Sequence, residues 1–329
     1  MELLLKSYKT ESGGSKMTVL ALLGFLFAGY SVMANDSVQT LGTWIGSNKK
    51  KFQWYKLWAF ASSIMILTLW WGWYSSGGDI AFGRLNKIPF VEVQWYHTLA
   101  PLVLIFLTRK GIPVSKSFLV LSAFASSFVL EKMLVKSIVG YIIAGGASYG
   151  IWWLLSKFVD ESKDVRHSQK KYWRIAQWGS TSFLWFTWLS HDVANISVFL
   201  PRELSPMLLI GVMVFFILCL GLIFYTNGGK IQEIIVSKKN TKYIRSATLI
   251  DLGYAFLLLF FKEWNDIPMS TTWVFVGLLS GRELALNTFL ADGKDKKGIF
   301  PMLLKDFFKL LIGLMVSVGI VLVIHYFLK

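Results

Sequence analysis

Two carboxylates stand in apolar surroundings, where an ionised side chain is costly and needs a purpose. Asp36 lies in Ala34-Asn35-Asp36-Ser37-Val38-Gln39, and Asp192 in Ser190-His191-Asp192-Val193-Ala194-Asn195. Each is followed by a proline and a set of small polar side chains. The first set is Ile112-Pro113-Val114-Ser115-Lys116-Ser117 and the second is Ile267-Pro268-Met269-Ser270-Thr271-Thr272. The frames match: Asp36 and Asp192 are 156 positions apart, while Pro113 to Pro268 and Ser115 to Ser270 are each 155. A costly group that occurs twice in one frame points to a site built between two repeats, the arrangement of secondary transporters.

The chemistry follows from the residue types. A buried carboxylate beside amide and hydroxyl oxygens suits Na⁺, or else exchanges a proton. Asn35, Asp36 and Thr43 supply such groups in the first copy, and Asp192 and Asn195 in the second, so Na⁺ is a candidate ion at both aspartates. A single Asp would equally serve as a helix cap or as the partner of a buried cation; the duplication favours ion coupling. Proline is favoured in a first helical turn, and Ser or Thr caps the free N–H groups there. A helix start within the membrane carries partial positive charge and suits an anion. Ser115, Ser117, Ser270, Thr271 and Thr272 are therefore the anion-site candidates, with simple capping as the alternative. Lys116 either gives charge to the substrate or extends to the cytoplasmic surface. His191 either titrates near neutral pH and takes part in proton coupling, or stands as a neutral hydrogen-bonded ring.

These groups must be held by membrane helices. The chain of 329 residues is 54% hydrophobic, its mean hydropathy is +0.53, and apolar runs near the ~20 residues that cross a bilayer recur along it. The spacing predicts spans at 17–34, 55–74, 93–108, 112–130 and 134–157, then 173–190, 205–226, 246–262, 268–285 and 303–328. The stretches 36–48 and 192–203 are too short to cross and read as re-entrant or broken-helix continuations. The expected fold is all-α: a polytopic membrane protein of roughly 10–12 helices in two inverted repeats. Residues 1–157 form the first repeat, 158–172 a cytoplasmic linker, and 173–329 the second repeat. Residues 1–16 are polar and basic, and the apolar stretch after them runs straight into Asn35-Asp36, so it reads as a retained span rather than a cleaved leader.

Five segments per half would make the second copy enter from the opposite side. Alternating sides along the chain places about ten Lys and Arg on the side of the N-terminus and about 23 on the other, which includes the linker. That predicts both termini outside and the central loop in the cytoplasm, in a plasma or inner membrane. The net charge of +15 is thus placed by topology and by attraction to anionic lipid, and nucleic-acid binding is not expected. Trp70-Trp71-Gly72-Trp73-Tyr74, Trp95-Tyr96, Trp152-Trp153 and Trp185 to Trp188 are expected at span ends as an interfacial belt.

These residues resemble the inorganic phosphate transporter family, whose repeated signature runs roughly Gly-Ala-Asn-Asp-Val-Ala-Asn-Ala with a later Pro-Val-Ser-Thr-Thr. Ala34-Asn35-Asp36 matches the first signature and Leu41-Gly42-Thr43-Trp44-Ile45-Gly46-Ser47 its continuation; Asp192-Val193-Ala194-Asn195 and Pro268-Met269-Ser270-Thr271-Thr272 match the second copy. The resemblance extends through both halves. It implies a cation-coupled symporter importing inorganic phosphate with Na⁺ or H⁺, with substrate and cation between the repeats, in a homodimer. The departures are His191 for Asn, Gln39 for the second Asn, and Lys116-Ser117 for Thr-Thr. The alternatives are the same fold carrying sulfate or another oxyanion, and a membrane sensor or scaffold with a decayed site.

Other chemistry finds little support in the sequence. The four histidines show no metal-ligand spacing, no nucleophile–base pairing stands out, and the paired glycines fit no nucleotide loop. The single Cys219 excludes a disulfide within the chain. Neither enzymatic activity nor a cofactor beyond the coupling ion is expected. Arg202-Glu203 and Arg282-Glu283 are expected as local ion pairs.

Overall fold

The computed structural model describes residues 18–86, 88, 90–109, 115–124, 127–156, 165–228, 232, 243–264, 269–290, 296–324 and 326. The polar start of the chain, Pro113, Pro268 and residues 158–164 of the linker fall outside these. The described residues are overwhelmingly helical. α1 (Val19–Val32) runs through a π-helical segment, Met33–Ser37, into α2 (Val38–Asn48). α3 (Trp54–Ser75) follows, and then α4 (Leu99–Arg109), entered through a 3-10 turn at Trp95–Thr98. A π turn at Ser117–Leu121 and the short α5 (Ser122–Phe124) precede α6 (Ser127–Ser156). The second half contains α7 (Lys170–Asp192), α8 (Ala194–Ser197), α9 (Pro206–Tyr225), α10 (Ile244–Trp264), α11 (Thr271–Leu290) and α12 (Lys296–Val323).

Among the described residues, five helical stretches are long and apolar enough to cross a membrane: Val19–Asn48, Glu131–Ser156, Pro206–Tyr225, Ile244–Phe261 and Ile299–Val323. Caps explain where two of them begin. The Thr18 hydroxyl accepts from Ala21 N at 3.1 Å, and Ser205 accepts from Leu208 N at 3.4 Å with Pro206 in the first turn of α9.

Three sequence expectations change. First, 36–48 is no separate short segment: the π turn carries the helix from Val19 through to Asn48. Second, 112–130 and 134–157 are not two spans divided near residue 131, because α6 runs unbroken from Ser127 to Ser156. Glu131 and Lys132 lie on its exposed face, so their charge needs no loop. Third, the aromatic belt is divided. Trp70, Trp71 and Tyr74 are exposed, but Trp152, Trp185 and Trp188 are buried. The rings of Trp185 and Trp188 stack 5.0 Å apart, and Trp185 Nε1 donates to the Ala61 carbonyl at 3.0 Å. An indole buried among helices needs that acceptor.

The closest helix pairing is α6 against α11. A Cβ built on Gly281 would lie 2.0 Å from the Gly145 carbonyl oxygen, and one on Gly277 would lie 2.5 Å from that of Tyr141. Only glycine permits this approach, the small-residue packing expected between membrane helices. Ser148 Oγ donates to the Leu278 carbonyl at 2.7 Å along the same seam. Arg282 meets Glu283 at 3.0 Å, as expected of an ion pair, and also donates to Ser246 Oγ at 2.6 Å. Arg202 differs from expectation. It donates to the carbonyls of Leu85 and Ile88 at 3.3 and 2.9 Å. Burial pushes its guanidinium below the ordinary value, and the charge that opposes this is Asp79 rather than Glu203.

Candidate functional site

The first carboxylate sits on the π turn. An i→i+5 turn inserts one residue into the helical cylinder and is a common device at functional sites. Here it buries Asn35, Asp36 and Ser37. Gln39 Nε2 donates to Asn35 Oδ1 at 3.1 Å, so the glutamine supports the asparagine beside Asp36. The Lys116 ammonium forms an ion pair with Asp36 Oδ2. Lys116 is 2% exposed and so does not extend to a membrane surface. Asp36 Oδ1, Asn35 Nδ2 and Thr40 Oγ1 are buried with no hydrogen-bond partner among the described residues.

The second carboxylate closes α7. The chain turns at Val193 into α8, whose Asn195 side chain hydrogen-bonds the Asp192 carboxylate. Thr271, the first residue of α11, donates its hydroxyl to Asp192 Oδ2 at 2.6 Å. Lys116 and Arg84 also act on Asp192 electrostatically. The Arg84 guanidinium donates to the Ser190 carbonyl at 3.2 Å and approaches His191 Nδ1 at 2.8 Å, while His191 Nε2 lies 2.7 Å from the Leu258 carbonyl. A guanidinium has only donors and a carbonyl only accepts, so the neutral ring with hydrogen on Nε2 satisfies both contacts.

Two helix starts face this pair, and their caps match. Ser115 Oγ accepts from Phe118 N and Ser270 Oγ from Trp273 N, each at 3.3 Å. The donors, like the acceptors, are 155 positions apart. Ser117 Oγ donates to the Met269 carbonyl at 2.9 Å, tying one start to the other, and Ser270 N donates to Ser137 Oγ at 2.9 Å. Thr272 is buried beside Thr271. The structure thus brings together Asp36 with Lys116, Asp192 with Thr271 and Asn195, and the Ser115 and Ser270 starts through Ser117.

Thr43 belongs elsewhere. Its hydroxyl donates to Asp251 Oδ1 at 2.5 Å, and Thr181 donates to Asp251 Oδ2 at the same distance. Asp251 is 1% exposed. Sequence reasoning did not select this third buried carboxylate, although a lone Asp in the apolar run Leu249-Ile250-Asp251-Leu252 carries the signal that marked the other two. Tyr254 was also missed. It lies one turn further along α10, and its hydroxyl donates to the Thr271 carbonyl at 3.0 Å. Arg84 sits in a turn with Phe82 and Gly83 at positive φ, which no spacing rule connects to Asp192.

The described residues define an all-α membrane-protein fold with Asp36 and Asp192 buried beside helix starts. No family model and no curated protein matches the chain. Among solved structures, one described as "The sodium-dependent phosphate transporter" matches with a TM-score of 0.60 over 93% of this chain and 96% of that chain. The two are 16% identical, a likeness that establishes the shared fold.

Proposed function

We propose that this protein is a cation-coupled symporter that imports inorganic phosphate. The observation that carries the reading is the duplicated pairing of carboxylate and helix start. Asp36 is held by Lys116 next to the Ser115 cap, and Asp192 by Thr271 next to the Ser270 cap. Both lie inside a fold shared with a sodium-dependent phosphate transporter.

The anion would lie against the first turn of α11, where backbone N–H groups, Ser270, Thr271 and Thr272 offer donors without another full charge. Ser115 and Ser117 face it from the other start. The cation, Na⁺ or H⁺, would engage Asp192. For Na⁺ the donor set fits: a carboxylate next to Asn195, whose Oδ1 is buried and has no hydrogen-bond partner among the described residues. Both carboxylates are 2% exposed, so exchange with either side requires the halves to move, and rocking of inverted repeats about a central site supplies that motion. Termini outside, the central loop in the cytoplasm and a homodimer in the bilayer belong to the same reading.

The test is labelled phosphate and sulfate uptake into proteoliposomes under imposed Na⁺ and H⁺ gradients. Phosphate uptake driven by one gradient and lost in Asp192→Asn is the expected result. Sulfate uptake without phosphate reassigns the substrate to another oxyanion. No uptake of either, with Asp36→Asn and Asp192→Asn indistinguishable from the parent, overturns the transporter reading in favour of a sensor or scaffold.

A further inference from the structure

The two half-sites occupy equivalent frames but carry different chemistry. The offset of 155 that pairs Ser115 with Ser270 also pairs Lys116 with Thr271. Each of these side chains contacts Oδ2 of the aspartate in its own half: Lys116 that of Asp36, and Thr271 that of Asp192. At one and the same structural position, one half presents a positive charge and the other a neutral hydroxyl.

The consequence is electrostatic. Asp192 has a hydroxyl rather than an ammonium in contact with Oδ2; Lys116 and Arg84 act on it through space without pairing with it, so the contact position at this carboxylate stays open to a soluble cation. An ammonium balances the charge of Asp36 within the protein. Lys116 is covalently attached and buried, so it cannot be released at either face of the membrane. A hard cation at Asp36 Oδ2 would have to displace this ammonium or lie beside it against like-charge repulsion. The donor set around Asp36 therefore does not fit Na⁺, whereas that around Asp192 does. Asp36 Oδ1 has no hydrogen-bond partner among the described residues, so removing the ammonium would leave the buried Asp36 carboxylate without a counter-charge in contact.

We propose that Lys116 is a tethered counter-cation that makes the Asp36 half-site independent of soluble cation, leaving the Asp192 half-site as the one that binds Na⁺. The inference builds on the symport reading but concerns binding, so it can fail or stand separately. Lys116→Thr reproduces in the first half the residue of the second. In purified protein, melting temperature is followed as sodium chloride replaces choline chloride at constant ionic strength.

The parent should show one saturable sodium response that Asp192→Asn removes. Lys116→Thr should gain a second saturable response, and Lys116→Thr combined with Asp36→Asn should lose it again. In proteoliposomes that transport, the sodium dependence of uptake should steepen from a Hill slope of about 1 toward about 2 in Lys116→Thr. A folded Lys116→Thr protein with the parent's single response overturns the proposal, as does a parent response that Asp36→Asn alone removes. If Lys116→Thr cannot be recovered, Lys116→Gln keeps most of the stem and carries the same test. A gained sodium response without phosphate uptake supports the tethered charge while removing the transport assignment. Uptake by the parent with an unchanged sodium response in the variant does the reverse.

Discussion

The Thr43 hydroxyl donates to Asp251 Oδ1 at 2.5 Å across 208 positions of sequence, joining α2 to α10. Thr181 on α7 completes the arrangement at Oδ2. A fully buried carboxylate thus has a donor on each oxygen, and three helices are pinned at one point.

Removing either donor should destabilise the protein. Thr43→Val and Thr181→Val each leave one oxygen of a buried carboxylate unsatisfied, at a cost of about 1–3 kcal/mol. Thr43→Ser, which keeps the hydroxyl, should recover most of the loss. Thermal unfolding in detergent measures this; a Thr43→Val protein as stable as the parent would show that the contact contributes nothing.

At Asp192, Thr271→Val removes a 2.6 Å hydrogen bond from the carboxylate proposed to bind the cation. The half-saturating cation concentration should change by about tenfold, the equivalent of about 1.4 kcal/mol. Thr271→Ser should stay near the parent value. Uptake titrated against Na⁺ separates these outcomes, and equal values for Val and Ser would remove Thr271 from the site.

The seam between α6 and α11 gives a purely steric prediction. Gly281→Ala places a methyl group 2.0 Å from the Gly145 carbonyl oxygen, a backbone atom that cannot swing aside. Overpacking of this kind costs about 1–3 kcal/mol or more. Gly146→Ala meets nothing within 4 Å and lies inside a helix, so it should be neutral or slightly stabilising. Comparing the two melting temperatures isolates the contact from the general effect of replacing a helical glycine.

His191 offers a pH test. Arg84 at Nδ1 and the Leu258 carbonyl at Nε2 are both satisfied by the neutral ring, and a proton on Nδ1 would face the guanidinium. His191→Gln is therefore expected to lower uptake without changing the shape of its pH profile between about pH 5 and 8. Loss of a titration step near neutrality in the variant would instead make His191 a proton carrier.

Much of this molecule was legible in its sequence. Asp36 and Asp192 stood out because a carboxylate in an apolar run is expensive, and the matched offset separated them from chance. The matched offset does not extend to Asp251: position 96, its counterpart at an offset of 155, is a tyrosine. Repetition finds symmetric features and hides asymmetric ones. Thr43 was assigned to Asp36 by sequence proximity, but side chains seven positions apart on a helix need not share a partner, and the partner came from α10. Lys116 looked free to extend because its flanking sequence does not show that Asp36 lies above it. The false break near Glu131 had a different cause. Charged residues in an apolar run read as a loop, yet one exposed face of a long helix accommodates them without interrupting the backbone.

The glycine contacts between α6 and α11 bear on how such a molecule can move. Where backbone meets backbone, no rotamers intervene to rearrange, and sliding would first drive the Gly281 Cα region into the Gly145 carbonyl and break the Ser148–Leu278 bond. Under the symport reading the seam holds α6 and α11 as one unit, and the rocking is left to the other helices of each half. Under the same reading, bending falls to elements outside the seam, foremost the π turn at Met33–Ser37, whose widened hydrogen-bond register carries Asp36 itself.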